Sequence, residues 1–426
     1  MREIKSVLQI ISVAALLHIT LCAQDISGVW QGTVKAGKDL RVILEFESDQ
    51  KGGWTGKMYS IDQGPDATPI TSVVLQGSDL KLSIDLTGST YEGKLNADGT
   101  AIRGTWKQFR SLPLDFRRAT KETAWKRDSS PHTVQFVAVD NGVKLEVLDW
   151  GGSGRALVLL AGLGNTAHVF DTFALKLSPS YHVYGITRRG FGESSIPASG
   201  YSADRLGDDV LAVIDSLKLD RPVLVGHSIA GEELSSVGTR HPEKVAGLIY
   251  LDAAYAYAFY DSSCGDLNID SLDLEKKLQQ LGQGLAPQAQ KQLVQELLHT
   301  GLPQIQKDLQ EYLEVLETAP ADQPAFRIPA SALAIRAGEQ KYTNFHLPIL
   351  AIYAIPHSGG PVSKNPAARA AAEALDMART GAQAKAFETA IPSARVVRLP
   401  HANHYVFNSN ETDVLREMNS FLGSLK

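Results

Sequence analysis

The residues best equipped for chemistry lie in one hexapeptide, Gly226-His227-Ser228-Ile229-Ala230-Gly231. The apolar run Val223-Leu224-Val225 leads into it and Glu232-Glu233-Leu234-Ser235-Ser236 opens a helix after it, so Ser228 stands at a strand-to-helix turn. Small residues two places either side are what so sharp a turn requires, and the turn lifts the hydroxyl clear of the sheet. The helix N-terminus beneath it favours developing negative charge. A hydroxyl becomes a useful nucleophile when a base takes its proton. His404, in Leu399-Pro400-His401-Ala402-Asn403-His404-Tyr405 after the last strand-like run, is the expected base, with His401 its rival. His227 adjoins the serine, but its side chain is expected to point away and play a structural role. An oxyanion formed at Ser228 needs two backbone N–H donors, and Leu160-Ala161-Gly162-Leu163-Gly164-Asn165 can curl toward the turn, making Leu163 and Ile229 the expected pair. Glu232 and Glu233 could approach the histidine from the helix as its carboxylate partner. His132, His182, His241, His299 and His346 read as surface or packing residues, and no pair of histidines has metal-ligand spacing with a nearby acid, so neither metal nor cofactor is expected.

These residues need strands and helices to hold them, and the chain supplies two kinds of pattern. From residue 132 onward, apolar runs alternate with longer amphipathic stretches, the pattern of a mostly parallel α/β sheet. Eight strands are expected, near 133–139, 143–150, 156–161, 181–187, 222–227, 246–252, 348–354 and 394–399. Residues 253–346 form an insertion with apolar helix faces, such as Ile305, Leu309, Tyr312, Leu313 and Leu316, and the rings of Tyr255, Tyr257, Phe259 and Tyr260 leave the strand edge directly. An apolar acyl or aromatic pocket is the expectation there.

Residues 24–118 alternate apolar and polar positions in short runs, as in Leu40, Val42, Leu44 and Phe46, with turns such as Asn96-Ala97-Asp98-Gly99 between them. A weak repeat puts an aromatic two places before a glycine at Trp30/Gly32, Trp54/Gly56 and Tyr91/Gly93, reversed at Gly104/Trp106. About eight strands in a small antiparallel barrel or sandwich are expected, similar to a lipocalin-like fold, with the aromatics as core. Residues 119–131 are charged and read as a solvated linker. Arg2 and Lys5 followed by the apolar residues 7–21 and Leu21-Cys22-Ala23 read as a secretory signal peptide cut after Ala23. Its apolar run of about 15 residues is shorter than the ~20 that span a bilayer. Leu21 before Cys22 argues against lipidation. The exported chain, periplasmic or extracellular, would then keep one cysteine, Cys264, and no internal disulfide.

The chain of 426 residues is 43% hydrophobic and 21% charged, which excludes disorder and collagen-like repeats. Its 42 Lys+Arg against 47 Asp+Glu, a net −5, give no footprint for gripping nucleic acid.

Residues 132–426 resemble the α/β-hydrolase superfamily, through the Gly162-Leu163-Gly164 loop, Arg189-Gly190-Phe191-Gly192-Glu193-Ser194, the turn at Ser228, Tyr250-Leu251-Asp252-Ala253-Ala254 and Asn403-His404. The resemblance implies a Ser228 nucleophile, a His404 base, oxyanion donors at Leu163 and Ile229, and a lid at 253–346. The sequence departs from the family pattern at Ala161, where many members have histidine, Thr187, where many have aspartate, and Ala230, where glycine is common. Relatives place the triad acid after the seventh strand, but Ile355-Pro356-His357-Ser358 carries none; others place it after the sixth, where Asp252 stands, with Glu232 and Glu233 as rivals. Epoxide- and haloalkane-hydrolysing members would need an aspartate in place of Ser228. The expectation is an exported serine hydrolase acting on a small apolar or aromatic ester through an acyl-enzyme. Amidase, peptidase or carbon–carbon hydrolase activity on the same site, or a silent binding protein, are the alternatives.

Overall fold

A computed structural model describes residues 25–35, 39–49, 52–61, 67–85, 87–108, 111–128, 130–318, 330–358 and 366–425. The signal-peptide reading falls on residues outside these. No helix among the described residues is long and apolar enough to cross a membrane.

The first unit is a single antiparallel sheet of β1 (Gly28–Lys35), β2 (Asp39–Ser48), β3 (Trp54–Ser60), β4 (Ala67–Pro69), β5 (Ser72–Gln76), β6 (Asp79–Ile84), β7 (Ser89–Leu95), β8 (Ala101–Lys107) and β9 (Ser111–Arg118). Its order, β4-β3-β2-β1-β9-β8-β7-β6-β5, runs through neighbours in the chain and joins first strand to last, so the sheet curls into a half-barrel. Among the described residues nine strands stand where about eight were expected. The aromatic–glycine repeat has a packing cause: residues two apart share one face, and the glycine leaves room for a ring. Gly93 and Gly104 pair across β7 and β8, and a Cβ on either would lie 2.6 Å from the Tyr91 ring. Tyr91 and Trp30 are fully buried in the interior with Phe46 and Phe116. Residues 119–128 lie along this half-barrel: Gln31 Nε2 donates to the Thr123 carbonyl, and the Arg127 guanidinium donates to Tyr59 and pairs with Glu45.

The second unit is a sheet of β10 (Thr133–Asp140), β11 (Val143–Asp149), β12 (Ala156–Leu160), β13 (His182–Ile186), β14 (Val223–His227), β15 (Gly247–Leu251), β16 (Ile349–Ala354) and β17 (Ala394–Leu399), matching the eight expected strands. The order is β10-β11-β13-β12-β14-β15-β16-β17, parallel from β13 to β17. Strand alternation sends Leu157, Leu159, Val225, Ile249 and Leu251 to one face, under α1 (Asp171–Leu177), and Val158, Leu160, Leu224, Leu248 and Tyr250 to the other, under α2 (Ala203–Ser216) and α3 (Gly231–Arg240). Each fully buried aliphatic contributes about 1.5–3 kcal/mol. Between β15 and β16 the chain carries α4 (Leu267–Leu281), α5 (Pro287–Glu296), α6 (Leu302–Thr318) and α7 (Ala330–Arg336). The α6 face of Leu309, Tyr312, Leu313 and Leu316 is about half exposed rather than buried. The chain then runs through α8 (Pro366–Ala390), α9 (Val406–Ser409) and α10 (Glu411–Ser424). Because β12 lies between β13 and β14, the strand order reverses there, which makes the carboxyl ends of β12 and β14 the place where ligands bind in open α/β sheets.

Candidate active site

Ser228 opens a single 3₁₀ turn between β14 and α3, with φ +54°. A non-glycine residue in this region costs on the order of 1–3 kcal/mol and persists only where its surroundings enforce it. They do so here by close approach. A Cβ at Gly226 would lie 2.6 Å from Leu234 Cδ1, and one at Gly231 only 2.0 Å from the Ala253 carbonyl, so α3 docks against the end of β15 only without side chains there. The loop after β12 is equally close, since a Cβ on Gly162 would lie 2.8 Å from His227 Nδ1 and 3.1 Å from Ser228 Cβ. That contact brings the Leu163 and Ile229 segments to the same side of the serine.

His404 Nε2 lies 2.9 Å from Ser228 Oγ, and its Nδ1 lies 2.6 Å from Asp252 Oδ2. Asp252, also at positive φ (+49°), is fully buried just past β15. Its Oδ1 accepts from the Ala354 N–H at 2.9 Å and the Tyr255 hydroxyl at 2.7 Å, and its Oδ2 faces His357 Nε2 at 2.7 Å. Burial alone would raise this carboxyl, but hydrogen bonds from His357 and His404 outweigh it and hold Asp252 well below the usual carboxylate range. An ionised carboxylate only accepts, so the His404 proton sits on Nδ1 and leaves Nε2 to accept from the Ser228 hydroxyl. His357 in turn is held by Asp376, through Nδ1 at 3.0 Å and its backbone N–H at 2.7 Å. Burial opposes its charge, yet Asp252 and Asp376 push His357 up to about 10.

The rivals go elsewhere. Glu233 accepts from Nε and Nη2 along one edge of the buried Arg188 guanidinium, at 2.6 and 2.8 Å. Glu232 is fully buried, neither carboxylate oxygen has a hydrogen-bond partner among the described residues, and burial with the neighbouring Glu233 pushes it well above the usual range. His401 is exposed beside Glu373. His227 turns from the hydroxyl, placing Nε2 3.1 Å from the His404 carbonyl, and burial pushes it down to about 3, so it is a neutral ring bracing the His404 loop.

The sequence model for the alpha/beta hydrolase fold matches residues 155–410. This chain belongs to the α/β hydrolase fold family. Curated relatives include 2-(acetamidomethylene)succinate hydrolase of Mesorhizobium japonicum (28% identical, 24% of this chain and 36% of the relative), fluoroacetate dehalogenase of a Burkholderia species (32%, 26% and 38%) and epoxide hydrolase 4 of Mus musculus (28%, 36% and 45%). The chain thus spans less than half the length of these relatives. Among solved structures, 2-(acetamidomethylene)succinate hydrolase aligns over 69% of this chain and 100% of its own at 19% identity and TM-score 0.42. Bacillus megaterium epoxide hydrolase aligns over 68% and 100% at 18% and 0.43.

In this α/β hydrolase the departures from the family pattern are filled locally. Thr187 Oγ1 donates to Glu146 at 2.7 Å and accepts from the Ala167 N–H at 3.0 Å, while the Ala161 carbonyl accepts from Arg188 at 2.9 Å. The aromatic run after β15 does not form one pocket. Tyr255 supports Asp252, Phe259 packs on Phe387 in the core, and Tyr260 donates to Asp270. Tyr257 alone of the four packs with Leu163, Phe191, Ile229 and Ile335. Sequence reasoning passed over His357, Tyr255 and Asp376. The available signal was a histidine in the loop after the seventh strand, where an acid was sought. Among the described residues the fold also gathers two groups of ligand-type side chains, Asp252, His357 and His404, and Asp128, His132, His168 and Asp171. The second is built from Asp128/His132 and His168/Asp171 pairs, spacings that a search for histidine pairs overlooks.

Proposed function

We propose that this hydrolase is a serine esterase working through Ser228, His404 and Asp252. The observation that carries the reading is the unbroken line of contacts from Ser228 Oγ through both nitrogens of His404 to Asp252. His404 Nε2 takes the Ser228 proton as Oγ attacks the ester carbonyl. The backbone N–H groups of Leu163 and Ile229 receive the oxyanion. His404 then passes its proton to the departing alcohol, and in the second half activates water to release the acid. Asp252 fixes the Nδ1–H tautomer and stabilises the imidazolium. Leu163, Phe191, Ile229, Ile335 and the Tyr257 ring line an apolar wall beside the nucleophile, favouring small apolar or aromatic acyl groups. A serine at 228 speaks against the aspartyl chemistry of epoxide and haloalkane hydrolysis. The N-terminal charge and apolar run support export to the periplasm or beyond.

The test is labelling by a fluorophosphonate probe together with turnover over a panel of short-chain esters. Labelling abolished by Ser228→Ala, with turnover falling in parallel, is expected. A chain that neither labels nor turns over any ester would instead be a silent binding protein, and turnover of amides alone would move the reading to an amidase.

A further inference from the structure

We propose that Asp128, His132, His168 and Asp171 form a binding site for one divalent transition-metal ion, Zn²⁺ in chemical class, which fastens the strap at 119–131 to the hydrolase sheet. One ligand atom from each of the four lies within 4.8 Å of all the others. His132 Nδ1 is 3.1 Å from Asp171 Oδ1, and His168 Nδ1 is 3.2 Å from Asp171 Oδ2 and 4.0 Å from Asp128 Oδ2. Ligands held at 2.0–2.2 Å around a tetrahedral ion stand about 3.3 Å apart, so these separations already approximate a coordination shell.

An ordinary ion-pair network would bring the same atoms together, but orientation separates the two cases. His132 is 2% exposed in its side chain, and its Nδ1 lies 3.1 Å from Asp171 Oδ1, yet it makes no hydrogen bond. At that distance a ring N–H aimed at the oxygen would form one. The nitrogen is close to the carboxylate without pointing at it, as happens when both donors face a shared point. The charges lean the same way. Two aspartates share the cluster with Glu146, 3% exposed, whose Oε1 lies 3.7 Å from His168 Nε2, the far nitrogen of the ring. A carboxylate behind a ligating histidine is the usual second layer of such sites and raises the basicity of the ring. Trp150 Nε1 donates to Asp171 Oδ1 at 3.1 Å, orienting that carboxylate. The donor set of two imidazoles and two carboxylates, with no thiolate, suits Zn²⁺ over soft ions, and the imidazoles disfavour Mg²⁺ and Ca²⁺.

The position gives the ion a job. Asp128 and His132 bracket the passage from the half-barrel strap into β10, while His168 and Asp171 lie on the segment that continues the Gly162–Asn165 loop into α1. An ion there ties the first unit's exit to the loop packed against Ser228.

The experiment uses the full chain, stripped with chelator, loaded with Zn²⁺ or Co²⁺ and passed through gel filtration. About one equivalent of Zn²⁺ should be retained, with the intense visible bands of a four-coordinate cobalt site after Co²⁺ loading and a higher Tm with metal than without. Asp128→Asn and His132→Gln should each weaken binding by about tenfold or more and abolish the Tm shift. Asp128 lies at the surface, so its variant tests the site where the His132 variant fails to fold. No retained metal in the wild type overturns the proposal. So does an equivalent unaffected by Asp128→Asn, or one lost in His357→Gln, which would place the ion at the Asp252 group.

Discussion

Asp252→Asn, set beside Glu233→Gln, tests Asp252 against one of its two rivals for the role of acid. Four donors converge on Asp252, two on each oxygen: the Ala354 N–H and Tyr255 hydroxyl on Oδ1, and the rings of His357 and His404 on Oδ2. An asparagine has one acceptor oxygen and one donor amide. The Ala354 N–H belongs to β16 and cannot turn away, so the asparagine oxygen stays on that side and its NH₂ faces His404 Nδ1. Two N–H groups cannot share that contact. His404 must present a lone pair at Nδ1 and carry its proton on Nε2, where it faces Ser228 as a donor and cannot accept the hydroxyl proton. A tautomer held wrong in this way lowers kcat by about 10⁴-fold in the worked serine-protease case, and a loss of that order is expected here.

Glu233→Gln is the control. It leaves Arg188 buried without its counter-charge, which costs about 3–5 kcal/mol of stability, but it touches nothing on His404. Turnover of a short-chain p-nitrophenyl ester, divided by active sites counted with the fluorophosphonate probe, corrects for unfolded material. Per active site, Glu233→Gln should stay close to wild type while Asp252→Asn collapses. Wild-type-like turnover in Asp252→Asn beside a large loss in Glu233→Gln refutes the assignment.

Three further outcomes follow from the same contacts. His357 has a folded pKa raised to about 10 from an ordinary 6.5, so its stabilising charge is fully present below pH 6.5 and lost as pH rises through 10. The resistance of the wild type to urea should therefore fall over that window more than that of His357→Gln. Glu339 is pushed up to about 7 by burial, so the folded state keeps a proton the unfolded chain releases, and stability falls as pH rises from 4.5 to 7. Glu339→Gln, which can still accept from Asn268, should remove up to about 3 kcal/mol of that decline, and equal slopes in the two proteins would exclude it. Gly162→Ala drives a methyl into His227 Nδ1 and Ser228 Cβ, and should lower kcat/KM by about 10²-fold with Tm changed by a few degrees at most; unchanged turnover would mean the loop yields freely.

The order of strands and the turn at Ser228 were readable because each is written in consecutive residues. Val223–Gly231 specifies a strand, a sharp turn and a helix by local pattern alone, and the eight apolar runs reproduce the observed sheet within a residue or two at their ends. The half-barrel was legible as alternation, but the meaning of its repeat was not, because the room left by Gly104 is filled by a ring on the neighbouring strand. The same holds at the site. His357 and Asp376 are 19 residues apart and approach Asp252 from more than a hundred residues away, a convergence with no periodic trace in the chain.

Glu232 and Glu233 show why nearness in sequence misleads at such a turn. Four and five residues after the nucleophile, they lie in the first turn of α3, and a helix directs side chains back toward its N-terminus. That direction suggests the active site. But α3 packs against α2 and its first turn is wholly buried, so the two side chains enter the protein interior, where Glu233 meets Arg188 from the turn after β13. Asp252 instead ends a strand beside β14, at the carboxyl edge where the loops of β12, β14 and β17 also end. A parallel sheet aligns its strand ends whatever their separation along the chain. Distance from Ser228 in strand order is therefore the better guide to a catalytic partner than distance in residue number.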